Sequence, residues 1–214
     1  MANEEKYFAA YCRLESESGG THITLEGNAL VIGEELDLID QLHVTQRGKE
    51  ISRIMLRDER QATGFLPDGL YKKVAKLLDA GWVCRAFVSA VAYDKSCEAY
   101  WSEAAVICYT KDDESIFAPF VTAIAKRIAQ GEHPAMALSA DELSRVIESK
   151  GSWADTAPCA LPKLGKDSAY FKTKRTLPEN LAYAAAEGNK GCYVGTAAVA
   201  LVIVFAIVWF LFLR

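Results

Sequence analysis

The sequence lacks the local signatures of most enzyme and metal-binding classes. Its three histidines stand apart at positions 22, 43 and 133, and its six cysteines form no Cys-x-x-Cys pair. This spacing excludes a zinc site built from closely spaced ligands. Gly-x-Ser-x-Gly, His-Glu-x-x-His, Gly-x-Gly-x-x-Gly and phosphate-loop motifs are also absent. We therefore predict no catalytic residues, no metal and no cofactor, and we expect a protein that is not an enzyme.

An apolar segment is missing from the N-terminus, which begins MANEEKYFAAYC and does not resemble a secretory signal. Charge is missing from the other end, where the 22 residues of 192–213 contain no charged side chain and 13 are Leu, Ile, Val or Phe. At about 1.5 Å per residue such a helix spans the roughly 30 Å hydrocarbon core of a bilayer. The sequence predicts a transmembrane helix there, and we assign Tyr193 and Trp209 to this membrane anchor.

The residues that approach this span are basic. Between 163 and 190 there are six Lys or Arg against three Asp or Glu, whereas Arg214 stands alone on the far side. Basic residues close to a span stay on the cytoplasmic side. We expect a tail-anchored, single-pass protein whose N-terminal part faces the cytoplasm and whose C-terminus lies opposite, with the lipid bilayer as one partner. The six cysteines are scattered along the chain, and we predict that all are reduced thiols. Cys84 and Cys108 lie inside apolar runs and are predicted core residues.

The N-terminal half carries β-strand patterns. Period-2 alternation within 21–39, followed by short apolar runs at 51–56 and 61–66, predicts strands and a hairpin. The longer apolar runs at 83–93 and 100–110 are typical of strands in a small barrel or sandwich.

Helical patterns follow two of these segments. Pro67 and Asp68 begin a predicted helix that ends at Gly81, with an apolar face of Leu70, Val74, Leu77 and Leu78 that we expect to be buried. A second helical pattern runs from Ser115 to Gly131, and a capping box at Ser139–Glu142 begins a third that ends at Gly151.

Together these patterns predict an α+β fold. We expect a lead-in over 1–20, a small β-barrel with one packed helix over 21–111, amphipathic helices over 112–151, a Pro- and Gly-containing stalk over 152–191 and the anchor over 192–213.

Residues 21–110 contain a characteristic succession of segments. Gly33-Glu34-Glu35-Leu36-Asp37-Leu38 precedes a hairpin, and Thr63-Gly64-Phe65-Leu66-Pro67 leads into the helix at 70–82 and the strand at 84–91. This succession resembles a HIRAN domain. The resemblance implies an OB-like barrel with one helix, of the kind that grips the free end of a DNA single strand between aromatic and polar side chains. The family's Asn-Pro-x-Asp-like segment has no counterpart at 43–52, so the resemblance is to a degenerate member.

Two candidate surfaces follow. A groove for a partner or for nucleic acid would combine basic and aromatic side chains, as single-strand sites do; its candidates are Arg47, Lys49, Arg53, Arg57, Phe65 and Tyr71. A partner-binding helix face would use Phe117 and Phe120, provided that neither ring lies in the core.

Three functional hypotheses remain open. The first is a non-enzymatic binding or adaptor module for a protein partner, displayed on the cytoplasmic face of a membrane. The alternative is binding of single-stranded DNA ends at the membrane, although residues 21–110 carry a net charge of −3. The second alternative is a small hydrolase whose site the sequence does not reveal. A groove with basic and exposed aromatic side chains would favour DNA, and an uncharged apolar groove would favour a peptide or protein. A close carboxylate pair or a Cys–His contact in a pocket would favour the hydrolase.

Overall fold

The structure is a computed structural model that describes residues 6–16, 32–44, 50–57, 62–96 and 98–170. These residues belong to a compact unit, Met1–Thr173. The predicted anchor with Tyr193 and Trp209 lies outside the described residues, as do Arg47 and Lys49. Within the described ranges, no helix has both the length and the apolar character needed to cross a bilayer.

An antiparallel sheet and three α-helices form the described unit, which confirms the predicted α+β class. The strands are β1 (Tyr7–Arg13), β2 (Glu35–Val44), β3 (Glu50–Arg57), β4 (Ala62–Phe65), β5 (Val83–Asp94), β6 (Ala99–Tyr109) and β7 (Ser168–Tyr170). The helices are α1 (Asp68–Asp79), α2 (Glu114–Ala129) and α3 (Ala140–Glu148).

The sheet has the order β1-β6-β5-β2-β3-β4, and β7 pairs with β5 beside the turn that joins β5 to β6. It curls into a half-barrel, and its two edges meet just beyond β1. There Glu15 and Phe65 exchange backbone hydrogen bonds, Glu15 N to Phe65 O at 2.9 Å and Phe65 N to Glu15 O at 2.8 Å.

Strand alternation divides the core into two layers. Along β6 the even-numbered Ala104, Val106 and Cys108 pack on the side that α1 covers, with Leu36, Ile54, Leu56 and Val74. The odd-numbered Ala105, Ile107 and Tyr109 pack on the other side with α2 and α3, through Phe117, Phe120, Ile124 and Val146. Both faces of the central strand are therefore buried, which is why β6 reads as a nearly continuous apolar run.

Helix α1 agrees with its prediction except at one position. Gly81 adopts a φ of +79°, as a left-handed helix cap requires. Val74 is fully buried, and Leu70 and Leu77 pack at the margin of the same layer. Leu78 is exposed, because the sheet covers a narrower arc of the helix than the apolar pattern implies.

Two domain predictions need correction. The predicted lead-in contains β1 at residues 7–13, which pairs with β6 along its whole length. The predicted stalk packs onto the unit over residues 152–170, since Thr156 is buried and β7 pairs with β5. The stretch 171–191 lies outside the described residues.

The two layers enclose several protonated groups that ionise in alkali. Burial raises the pKa of Tyr7 and of Tyr11 above the ordinary tyrosine range. Burial, and next the charge of Glu103, raises the pKa of Cys12 to about 12. The unfolded chain releases these protons at about pH 8.5 for cysteine and about 10 for tyrosine.

We therefore expect the fold to lose stability in alkali. A raised pKa in the folded state means full stability below the unfolded pKa and a loss as the pH rises above it. Urea unfolding from pH 8 to 11 should show a falling free energy of unfolding, by about 1.4 kcal/mol per pH unit for each group once its unfolded pKa is passed. Tyr7→Phe should lessen the slope above pH 10 by about that amount. A stability that stays constant to pH 11 would contradict this expectation.

Candidate functional site

A carboxylate lies in the middle of the apolar strand β6. Glu103 is only 4% exposed, and it lies at an irregularity of the β5–β6 pairing, where Val88 faces Ala104 but Ala90 faces Glu103. Ser89 is the extra residue of this β-bulge, and its Oγ donates to Glu103 Oε2 at 2.8 Å. Bulges redirect side chains, and this one places a hydroxyl beside a buried carboxylate.

Two extended segments meet above this position. Ala135 N donates to Ala157 O and Cys159 N donates to His133 O, each at 2.7 Å. Pro134 and Pro158 form the antiparallel bridge between them. This register places His133 directly across from Cys159, although 25 residues separate the two in the chain.

The three side chains form one hydrogen-bonded series. His133 Nε2 lies 2.8 Å from Glu103 Oε2, and His133 Nδ1 lies 3.0 Å from Cys159 Sγ. An ionised carboxylate only accepts hydrogen bonds, so with Glu103 ionised a neutral His133 has its proton on Nε2, and its Nδ1 is then the atom that can accept from the thiol. His133 is buried, while Cys159 is partly exposed. Cys159 is therefore the more exposed end of the series and Glu103 its buried end.

Neighbouring side chains hold the imidazole in place. The ring of Tyr11 stacks on that of His133 with 3.8 Å between centroids, and its hydroxyl donates to Pro134 O at 2.8 Å. Arg127 on α2 donates to Ala154 O at 2.7 Å and to Thr156 O at 3.1 Å. These contacts fasten both extended segments to the sheet and to α2.

The surroundings of Cys159 favour the neutral form of its thiol. Burial, and next the charge of Glu103, raises the pKa of Cys159 above the ordinary cysteine range. A neutral thiol beside the acceptor nitrogen of an imidazole, itself oriented by a carboxylate, is the arrangement of a nucleophile, a general base and an orienting group. Such an arrangement can remove the proton from sulfur as the sulfur attacks an electrophile.

The predicted groove residues are only partly brought together. The Arg53 guanidinium lies 4.7 Å from the centroid of the Phe65 ring, but both side chains are buried, and Arg53 forms an ion pair with Glu15. Arg57 is exposed and Tyr71 packs at the margin of the α1 layer. Arg53 is therefore already neutralised and covered by the protein itself.

The predicted partner face on α2 needs correction. Phe117 and Phe120 are fully buried, and their ring centroids lie 5.4 Å and 5.9 Å from that of Tyr7. Both rings are core residues, because this face of α2 covers the sheet. A partner surface cannot use them while the helix stays packed.

Sequence reasoning missed Glu103, His133 and Cys159. They lie on one strand and two irregular segments, so no fixed spacing connects them. One signal was present, since Glu103 is the only charged residue within β6, and buried charges are rare unless they are paired.

Comparison of the chain with protein-family models, curated proteins and solved structures finds no match. Membership of the HIRAN family, which the sequence resemblance suggests, therefore stays a proposal. Among the described residues, no group of three or more His, Cys, Asp and Glu side chains is placed to hold a metal ion.

Proposed function

We propose that the protein is a membrane-anchored thiol hydrolase with Cys159 as nucleophile, His133 as general base and Glu103 as orienting carboxylate. The observation that carries the proposal is the 3.0 Å contact between Cys159 Sγ and His133 Nδ1 in an imidazole whose other nitrogen contacts Glu103.

The reaction is acyl transfer to sulfur and then to water. His133 Nδ1 takes the thiol proton while Sγ attacks the carbonyl carbon of an ester, thioester or amide, and His133 returns that proton to the departing group. Water, deprotonated by the same nitrogen, then releases the acid and restores the thiol. Glu103 keeps the proton of neutral His133 on Nε2 and stabilises the imidazolium that forms in each step.

The surroundings of this site belong to the same proposal. Residues 192–213 anchor the protein as a single-pass helix, and the basic approach places the N-terminal unit in the cytoplasm. The half-barrel is part of an OB-like, HIRAN-type barrel; the succession of β4, α1 and β5 supports this. DNA-end binding is less favoured, because Arg53 pairs with Glu15 in a buried position.

Hydrolysis of p-nitrophenyl acetate by the full chain in detergent tests the proposal. We expect Cys159→Ala to abolish turnover and His133→Gln to lower it about 100- to 10,000-fold, the usual contribution of a general base. Glu103→Gln should also lower the rate. Cys84→Ala is the matched control, because Cys84 is another partly exposed thiol.

The covalent intermediate supplies a second readout. Trypsin releases Cys159 in the peptide 151–163, which contains no other cysteine. Brief exposure to the ester followed by acid quenching should place an acetyl group on this peptide, and His133→Gln should lower its yield. Turnover by Cys159→Ala at the rate of the unaltered protein would refute Cys159 as the nucleophile, and no turnover by the unaltered protein would favour the non-enzymatic adaptor for a protein partner.

A further inference from the structure

A pair of cysteines lies on the opposite face of the sheet from the Cys159 site. Cys84 on β5 is directly opposite Cys108 on β6 in the antiparallel register. Both are reduced. The acyl-transfer mechanism uses neither of them.

The backbone geometry of this pair suits a disulfide. The backbone N–H and C=O groups of Val88 point towards β2 and away from β6, since Val88 N donates to Glu34 O at 2.9 Å and Val88 O accepts from Gly33 N at 2.8 Å. The direction of these backbone groups repeats every second residue along a strand, so those of Cys84 also point away from β6. Cys84 and Cys108 therefore form a non-hydrogen-bonded pair. The Cα atoms of such pairs lie about 4.5 Å apart, within the range of about 4.4–6.8 Å in which disulfides form.

The two thiols differ in access. Cys108 is fully buried, whereas Cys84 is partly exposed. An oxidant from solvent therefore reaches the sulfur of Cys84 first, and Cys108 is held in place to react with whatever forms there. This is the division between an attacking and a resolving cysteine.

We propose that Cys84 and Cys108 are a peroxide-sensitive pair that closes into a reversible cross-strand disulfide. The Cys84 thiolate attacks one oxygen of hydrogen peroxide, the O–O bond breaks, and water and a sulfenic acid result. The Cys108 sulfur then attacks the Cys84 sulfur, an S–S bond forms, and the second water leaves. Two thiols and one peroxide thus give one disulfide and two waters, and a dithiol reductant reverses the change.

Other described thiols are poorly placed to compete. Cys12 pairs with Ala104 in the β1–β6 register, four residues along β6 from Cys108, which is about 13 Å at the rise of a strand. Cys159 contacts His133 instead. The pairing that the fold favours is therefore the direct one across β5 and β6.

Peptide mapping of the full chain in detergent tests this pairing. Trypsin leaves Cys84 in the peptide 77–85 and Cys108 in 96–111, which also contains Cys97, so the experiment uses the Cys97→Ser variant. After a short exposure to hydrogen peroxide, quenching with catalase and alkylation, we expect the two peptides to be linked and to separate on treatment with dithiothreitol.

A matched variant tests the order of the steps. Cys108→Ala removes the resolving thiol, so dimedone should then trap a sulfenic acid at Cys84, whereas Cys84→Ala should leave Cys108 unoxidised. Two fully alkylated peptides after peroxide, or a link from Cys84 to another cysteine, would overturn the proposal. Since Cys159 is unchanged throughout, ester hydrolysis by these variants separates failure of this inference from failure of the hydrolase.

Discussion

Glu103→Ala should lower the free energy of unfolding by about 3–5 kcal/mol, the usual loss when one partner of a buried pair is removed. Glu103 Oε2 accepts from Ser89 Oγ and lies within hydrogen-bond distance of His133 Nε2, both at 2.8 Å. The two donors are only 4% and 8% exposed. Without the carboxylate they stay buried and lose their acceptor, and each such group costs about 1–3 kcal/mol.

Glu132→Ala is the matched control for this experiment. Glu132 also contacts a basic side chain closely, with 2.6 Å between its Oε2 and Arg127 Nε, but its side chain is 46% exposed. Water replaces an exposed partner, so the control should cost less than about 1 kcal/mol. Urea unfolding of both variants at pH 7 measures the contrast. A loss below about 0.5 kcal/mol for Glu103→Ala would mean that the buried series does not stabilise the fold.

The elements that the sequence predicts well are those whose determinants are local. Helix α1 follows from the helical spacing of Leu70, Val74 and Leu77 and from the glycine that ends it. The capping box before α3 forms as its spacing indicates, with Ser139 N donating to Glu142 Oε2 at 2.8 Å. Each of these signals lies within about one or two helical turns.

The elements that the sequence does not predict depend on partners that are far away along the chain. Strand β1 forms its hydrogen bonds with β6, and Tyr7 pairs with Tyr109, which is far from it in the sequence. The segment after Gly151 is rich in proline and small residues, which indicates the absence of regular structure but not the absence of packing. Arg127 holds Ala154 and Thr156 in place from α2, and no pattern within that segment reveals it.

The candidate site also depends on residues that are far apart in the sequence. Glu103 could have been singled out as a charge within an apolar strand, but its partners could not. His133 and Cys159 meet through two short irregular segments that pair with each other, and Ser89 contributes through a β-bulge that sequence alternation does not indicate. A site made of one residue from each of four separate segments can be recognised only in the folded structure, where the four residues are close together.

Gly151→Ala should be among the most destabilising single changes in the unit, and Gly81→Ala provides a closely matched comparison. Each glycine follows a helix, and their φ angles are +78° and +79°. A left-handed conformation costs alanine about 1–2 kcal/mol, so this contribution is common to both variants. What differs is the space that a Cβ atom would enter.

At Gly81 a Cβ meets nothing within 4 Å, whereas at Gly151 it would lie 2.0 Å from Ile116 O and 3.1 Å from Phe120 N. Both atoms belong to the backbone of α2 and cannot turn aside as a side chain would, so α2 and α3 must separate. With overpacking at about 1–3 kcal/mol, we expect a total of about 3–5 kcal/mol for Gly151→Ala and about 1–2 kcal/mol for Gly81→Ala. Equal losses in urea unfolding would mean that backbone conformation alone decides both. A larger loss at Gly151 would show that α2 and α3 pack as closely as the structure places them, on the helix that carries Arg127 and so holds the segment leading to Cys159.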